Sequence, residues 1–298
     1  MIVLFFFLSL VFTYESNQAN SAFAFGYNLD EPNGVFELEN DLLEISGLGM
    51  ASQGKELVAI QDEKGVIYFV SRTTGKITRK VEFWKNGDYE GIEMVDDKVY
   101  VVKSTGTIYE VNLENEKVLV EKFNDDDLGK DNDVEGLGYD RINHQLLLAC
   151  KADAGMGKHD DFEKAIYGFN LKTKKLNKNP VFIIKLKAIQ DYLQKSPDIE
   201  GFDKLSERFL EQNGKFSFHP SALAIHPQSG HLYICSSTGK MLLILDKDGR
   251  VLHIAKMKKK IHEQPEGICF APDGTLYISN EGKYGQGKVY CFNQNAHY

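Results

Sequence analysis

Three glutamates carry the most suggestive chemistry in this sequence. Glu90, Glu135 and Glu266 each precede a glycine and an aliphatic residue, in Tyr89-Glu90-Gly91-Ile92, Val134-Glu135-Gly136-Leu137 and Pro265-Glu266-Gly267-Ile268. Two further segments share the phase with serine in place of the acid: Ile45-Ser46-Gly47-Leu48 and Pro220-Ser221-Ala222-Leu223. The five recur about every 45 residues, apart from one step of nearly two periods before Ala222. Carboxylates gathered by such a repeat repel one another and stay part-protonated unless a cation sits between them. Hard oxygen donors with no Cys or His at the same phase suit calcium, and magnesium less well. The competing role is turn capping, in which each Glu accepts backbone N–H groups from a neighbouring strand. Three acids at one phase favour the metal.

The elements that must position these acids are strands. A second apolar run follows each motif, at 57–60, 99–102, 146–149, 232–235 and 276–279. Third strands fit 66–70, 107–111, 165–169, 241–245 and 288–292, and fourth strands fit 76–83, 118–123, 180–186 and 251–257. Turn signals such as Asp248-Gly249 and Asp273-Gly274 separate them, as antiparallel hairpins require. Four strands per period is the signature of a β-propeller blade. Ile189, Leu193, Leu205 and Phe209 lie at helical spacing around the break Ser196-Pro197-Asp198. A helical insertion over 187–215 therefore accounts for the long step. The last unit lacks a fourth strand, and the alternating Val35-Phe36-Glu37-Leu38-Glu39 is placed to supply it and close the ring. The expectation is an all-β, five-bladed propeller over 25–298, closed by an N-terminal strand, with a short helical insertion between blades 3 and 4.

In that architecture the first strands line the axis. Ser46, Glu90, Glu135, Ser221 and Glu266 then form a ring at one mouth of the channel. The second strands end at the same mouth, bringing Asp62, Lys151, Asn280 and Glu281 around it. Such a polar cup suits a metal ion with bound water or a small anionic ligand. Other candidates read more plainly. Asn124-Asp125-Asp126-Asp127 lacks the spacing of an EF-hand. His226-Pro227-Gln228-Ser229-Gly230 is an inter-strand turn, Asp88 and Asp133 are loop acids, and Lys256 to Lys260 is a solvated basic face.

Composition narrows the class. Forty-two per cent of the 298 residues are hydrophobic, enough for a large core, and the net charge of −8 argues against nucleic acid as a partner. The four cysteines are too few and too scattered for a disulfide scaffold. Met1 to Phe12 is apolar except for Ser9, short for a membrane span and long enough for a signal h-region, although no Lys or Arg precedes Lys55. Residues 1–24 are read as a signal peptide or anchor segment, with 1–14 able to hold the chain at a membrane. The expected setting is the periplasm or cell envelope, and the expected state a monomer.

The repeated units also resemble a family. The two Glu-Gly units at 90 and 135, Pro220-Ser221-Ala222-Leu223-Ala224 with His226-Pro227, and Gln264-Pro265-Glu266-Gly267-Ile268 with Leu276-Tyr277-Ile278-Ser279-Asn280-Glu281-Gly282 look like the SdiA-regulated (YjiK-like) family. The resemblance implies a five-bladed envelope propeller, distantly similar to NHL repeats, with calcium in the channel. It puts Glu90, Glu135 and Glu266 at the family's acidic positions and Lys151 and Glu281 at polar positions of the same mouth. It supplies no activity. The function expected is a non-enzymatic envelope propeller binding calcium and a small molecule or envelope protein. The alternative is a calcium-dependent hydrolase of lactonase, esterase or phytase type at the same site.

Overall fold

The computed structural model describes residues 23–113, 117–155, 162–211, 216–283 and 285–295. The signal or anchor reading falls almost wholly outside them. Five antiparallel sheets stand around one axis. Blade 1 comprises β2 (Ile45–Met50), β3 (Glu56–Gln61), β4 (Val66–Ser71) and β5 (Ile77–Glu82). Blade 2 comprises β6 (Tyr89–Val95), β7 (Lys98–Lys103), β8 (Ile108–Asn112) and β9 (Leu119–Phe123). In blade 4 the strands are β15 (Ala222–Ile225), β16 (Leu232–Ser236), β17 (Met241–Leu245) and β18 (Val251–Lys256). Each first strand packs on the first strand of the next blade.

Blade 5 has only β19 (Pro265–Phe270), β20 (Leu276–Asn280) and β21 (Lys288–Phe292) from the C-terminal part of the chain. Its fourth strand is β1 (Gly34–Glu37), which pairs with β21 from Gly34 opposite Cys291 to Glu37 opposite Lys288. The expected closure is present, and it removes the edge that β21 would otherwise expose.

Blade 3 departs from the simple pattern. After β10 (Val134–Asp140), β11 (Gln145–Cys150) and β12 (Glu163–Asn170), the single fourth strand expected over 180–186 is replaced by two pieces. A two-residue β13 (Lys175–Leu176) and a later β14 (Phe182–Lys185) pair with opposite ends of β12. Pro180 lies between them and has no N–H for a ladder bond, so pairing lapses there.

The insertion is helical, as its spacing predicts. α1 (Leu186–Lys195) buries Leu186, Ile189 and Leu193. α2 (Phe202–Ser206) runs on into a wider turn over Glu207–Glu211. Leu205 and Phe209 join α1 in one core with Ile184, Met241 and Ile254, which docks the insertion on blades 3 and 4.

Glycines decide how closely the blades approach. A Cβ on Gly91 would stand 2.6 Å from the Leu137 Cβ, and one on Gly267 would stand 2.6 Å from the Leu48 Cβ. The second contact joins the last blade to the first. The glycine after each Glu therefore serves blade packing, while the Glu itself is free for another role.

Candidate functional site

The three glutamates share one structural device. In β6, β10 and β19 the ladder skips a residue, between Tyr89 and Gly91, Val134 and Gly136, and Pro265 and Gly267. The residue skipped is Glu90, Glu135 or Glu266. A bulged residue leaves the pairing and re-aims its side chain. Here all three line one cavity with Leu48, Ile92, Leu137 and Ile268, so the acids face an apolar floor made by residues one step deeper in the same strands. The space enclosed is about 10 Å³, room for one water or ion and for no organic ligand.

Lys151, at the end of β11, is the cation of this cluster. Its ammonium bonds Glu135 Oε1 and lies 3.8 Å from Asp133. Glu135 Oε2 is buried with no hydrogen-bond partner. Burial, then repulsion from Glu135, Asp88 and Asp133, pushes Glu90 up to about 9. Glu266 rises to about 8 through burial, Glu135 and Glu281. Glu135 rises to about 7, burial outweighing the opposing pull of Lys151. Burial works to lower Lys151, but Glu135, Asp133 and Glu266 hold it above the usual lysine range. Three carboxylates thus face one ammonium, and one carboxylate oxygen is left unsatisfied.

The other expected residues divide. Glu281 and Asp62 lie near each other with Glu44, and all three are acidic. Burial, then Glu44 and Glu63, raises Asp62, and burial, then Asp62 and Glu44, raises Glu281; Asp62 Oδ1 is buried without a partner. Asn280 is buried; its Oδ1 accepts the Gln264 N–H at 3.2 Å while its Nδ2 has no partner. Ser46 and Ser221 sit at the ring phase, but their hydroxyls are spent between blades. Ser46 donates to the Tyr89 carbonyl at 2.7 Å and Ser221 to the Pro265 carbonyl at 3.2 Å.

An outer tier surrounds the ring, of which the sequence showed Asp88 and Asp133 only as loop acids. Two residues before the ring positions stand Glu44, Asp88, Asp133, His219 and Gln264. Asp88 accepts the Ser104 hydroxyl, Asp133 approaches Lys151, His219 Nδ1 lies 3.3 Å from the Lys151 carbonyl, and Gln264 bonds Glu266 and Glu281. Asp88 and Asp133 act on Glu90 and Glu135, so reading them as plain loop acids understated them. The signal was their shared phase, two residues before each acid.

Calcium fits this site in chemistry better than in spacing. The donors are oxygens, they carry excess negative charge, and Glu135 Oε2 lacks a partner. Among the described residues, however, no three His, Cys, Asp or Glu side chains stand together closely enough to hold a metal ion. An ion at the ring would need the carboxylates of Glu90, Glu135 and Glu266 to draw closer together and Glu135 to release Lys151.

Comparison with known proteins sets the fold and the family. A luciferin-regenerating enzyme superposes with a TM-score of 0.53 at 13% identity, over 89% of this chain and 96% of the other. Myxococcus xanthus glutaminyl cyclase superposes with a TM-score of 0.57 at 10% identity, over the same shares. At such identities the likeness is one of fold alone. The outer membrane protein assembly factor BamB of Shewanella oneidensis is 29% identical over 87 residues, 29% of this chain. The matched stretch spans only 22% of that relative's length. The SdiA-regulated family matches residues 20–154 and 172–284, which include every ring residue from Ser46 to Glu266. The chain belongs to the SdiA-regulated family.

Proposed function

We propose that this protein is an exported cell-envelope propeller that acts by binding, with a calcium ion at the acidic mouth of its channel and a small ligand or protein partner above it. The observation that carries this reading is that Glu90, Glu135 and Glu266 are the bulged residues of three first strands and line one cavity of ion size, while the same bulge in β2 carries Ser46. The unsatisfied Glu135 Oε2 and the single compensating Lys151 support it. Export rests on the apolar start of the sequence, and the short likeness to an outer membrane assembly factor supports an envelope setting. No helix among the described residues is long and apolar enough to cross a membrane.

The test is a melting series with calcium after chelator treatment. Binding to the folded state stabilises by RT ln(1 + [L]/Kd), about 2.7 kcal/mol at a hundredfold excess over Kd. The Glu90→Gln, Glu135→Gln and Glu266→Gln variants keep shape and remove one charge each. Each should shrink the calcium shift; in chelator Glu90→Gln and Glu266→Gln should be neutral or stabilising because repulsion is relieved, whereas Glu135→Gln also gives up the Lys151 ion pair. No shift in the wild-type protein at millimolar calcium would refute the site. Calcium-dependent turnover of lactones, esters or phytate would move the assignment to a hydrolase using the same ion.

A further inference from the structure

We propose that the groove between the helical insertion and the 256–260 segment binds a small, multiply charged anion of the phosphate-ester or polycarboxylate class. The two walls are residues 197–204 and 256–260, and the space between them is about 810 Å³. That is within the range of roughly 300–1,000 Å³ of small-molecule sites. It lies at the same end of the propeller as the acid ring, because β18 ends and β19 begins there. The proposal does not depend on the calcium reading.

Charge points to the ligand class. In a chain of net charge −8, this groove is lined by Lys204, Lys256, Lys258, Lys259 and Lys260 against Asp198, Glu200 and Asp203. Lys258 uses one of those acids, lying 3.8 Å from Glu200, and also pairs with Asp30 of the N-terminal arm. Arg208 adds a further cation beside the groove, and among the described residues no carboxylate forms an ion pair with it. The five ammonium groups outnumber the three carboxylates of the groove, and a bound anion balances the excess.

The cations are built in, not scattered. Gly201, at φ +77°, lies so close over Lys256 that a Cβ would stand 2.8 Å from the Lys256 Cβ. Gly239, at φ +84°, leaves room for the Arg208 guanidinium, where a Cβ would stand 2.9 Å from Cζ. The Lys256 ammonium donates to the Gly239 carbonyl at 2.5 Å, so both cations meet at that residue. Lys256 is therefore half-buried, and the reading of 256–260 as a wholly solvated face is corrected at this position. Burial first, then Arg208, Lys204 and Lys240, lowers Lys256 to about 8. With its ammonium occupied by backbone carbonyls, Lys256 supplies field from the floor. Lys204 and Lys259, both exposed and both lining the groove, supply the donors, and Arg208 adds field from beside it.

The test is calorimetry on the full chain in chelator, with pyrophosphate and citrate as separate probes at low and moderate salt. Binding by pyrophosphate alone assigns the phosphate class, and binding by citrate alone the polycarboxylate class. Lys259→Gln and Lys204→Gln should each weaken binding about tenfold, the loss of one charge-assisted contact. Lys122→Gln, on the outer strand β9, should leave it unchanged. Near-ultraviolet circular dichroism checks that each variant is folded. The proposal is overturned by no heat from either probe up to about 10 mM, by equal loss in Lys122→Gln, or by binding of hexaglutamate with neither small anion bound.

Discussion

Ser46 donates its hydroxyl to the carbonyl of Tyr89, 2.7 Å away in the next blade, and so grips the peptide bond that carries Glu90. Ser221 repeats the contact on Pro265, whose peptide carries Glu266. Both serines occupy the ring phase of their own blades. The ring thus alternates in duty: serines fix the backbone from which neighbouring acids project. Ser46→Ala should cost about 1–3 kcal/mol, because the buried hydrogen bond is lost and the Tyr89 carbonyl loses that donor. Denaturant unfolding checks this. A change too small to measure would make the contact incidental.

The closing strand gives a second outcome. Deleting residues 25–41 removes β1 together with the buried Tyr27, Leu29 and Leu38, and uncovers the β21 edge from Lys288 to Cys291. Aggregation-prone protein is expected, since an unpaired edge templates pairing with other chains. A soluble product with a single sharp melt would contradict closure by β1.

The blades, the insertion and the closing strand were all legible, because each rests on local periodicity. The repeat phase also picked out Glu90, Glu135 and Glu266. The bulges were not legible: they depend on which residues of two strands pair, and the Glu-Gly pairs do not encode that register. Nor was the use of Ser46 and Ser221 as blade staples, since their acceptors lie 43 and 44 residues away. The division of blade 3's outer strand did have a visible cause in Pro180, which can open a strand but cannot donate to a ladder within one.

Histidine placement was the least legible feature. Residues 23–29 form an arm held by four histidines from blades 4 and 5. His231 meets Phe23 edge-on, His253 stacks on Phe25, His226 Nε2 lies 2.9 Å from the Tyr27 hydroxyl, and His262 Nε2 lies 3.0 Å from the Leu29 carbonyl. Tyr27 in turn donates to the Gly274 carbonyl at 2.6 Å. His226 Nδ1 accepts the N–H groups of Gln228 and Ser229, which fixes this ring neutral. Burial, chiefly, lowers His226, His253 and His262 to about 4 each. With folded values below the usual ~6.5, the unfolded chain takes up protons first as pH falls. Their stabilisation is full above pH ~6.5 and is lost progressively toward pH ~4, on the order of 3 kcal/mol for His262. Unfolding free energies at pH 7 and 5 should show that loss. His262→Gln, which keeps a donor for the Leu29 carbonyl, should flatten the slope; an unchanged slope would clear His262 of the effect.

Lys151 offers the sharpest test of the channel mouth, because it competes with any ion for Glu135. In chelator, Lys151→Gln strands Glu135 in a buried site and should cost about 1–3 kcal/mol. With calcium the sign reverses: removing a positive charge from the ring should tighten calcium binding by about tenfold or more. The pH window follows from the raised acids. Glu135, Glu266 and Glu90 stand at about 7, 8 and 9 in the folded protein. Stability that depends on their protonated forms is complete below the unfolded carboxyl value of ~4.5 and is lost as pH rises through those folded values. In chelator the melting temperature should therefore fall between pH 7 and 9, above the range in which the histidines act. Calcium, which favours the ionised forms, should restore more of it at each step upward. Parallel melting curves for the wild-type protein and Lys151→Gln, with and without calcium, separate the two roles of this lysine. If the variant binds calcium more weakly than the wild-type protein, Lys151 is a member of the site and does not compete for it, and the ring is not a cation centre of the kind proposed.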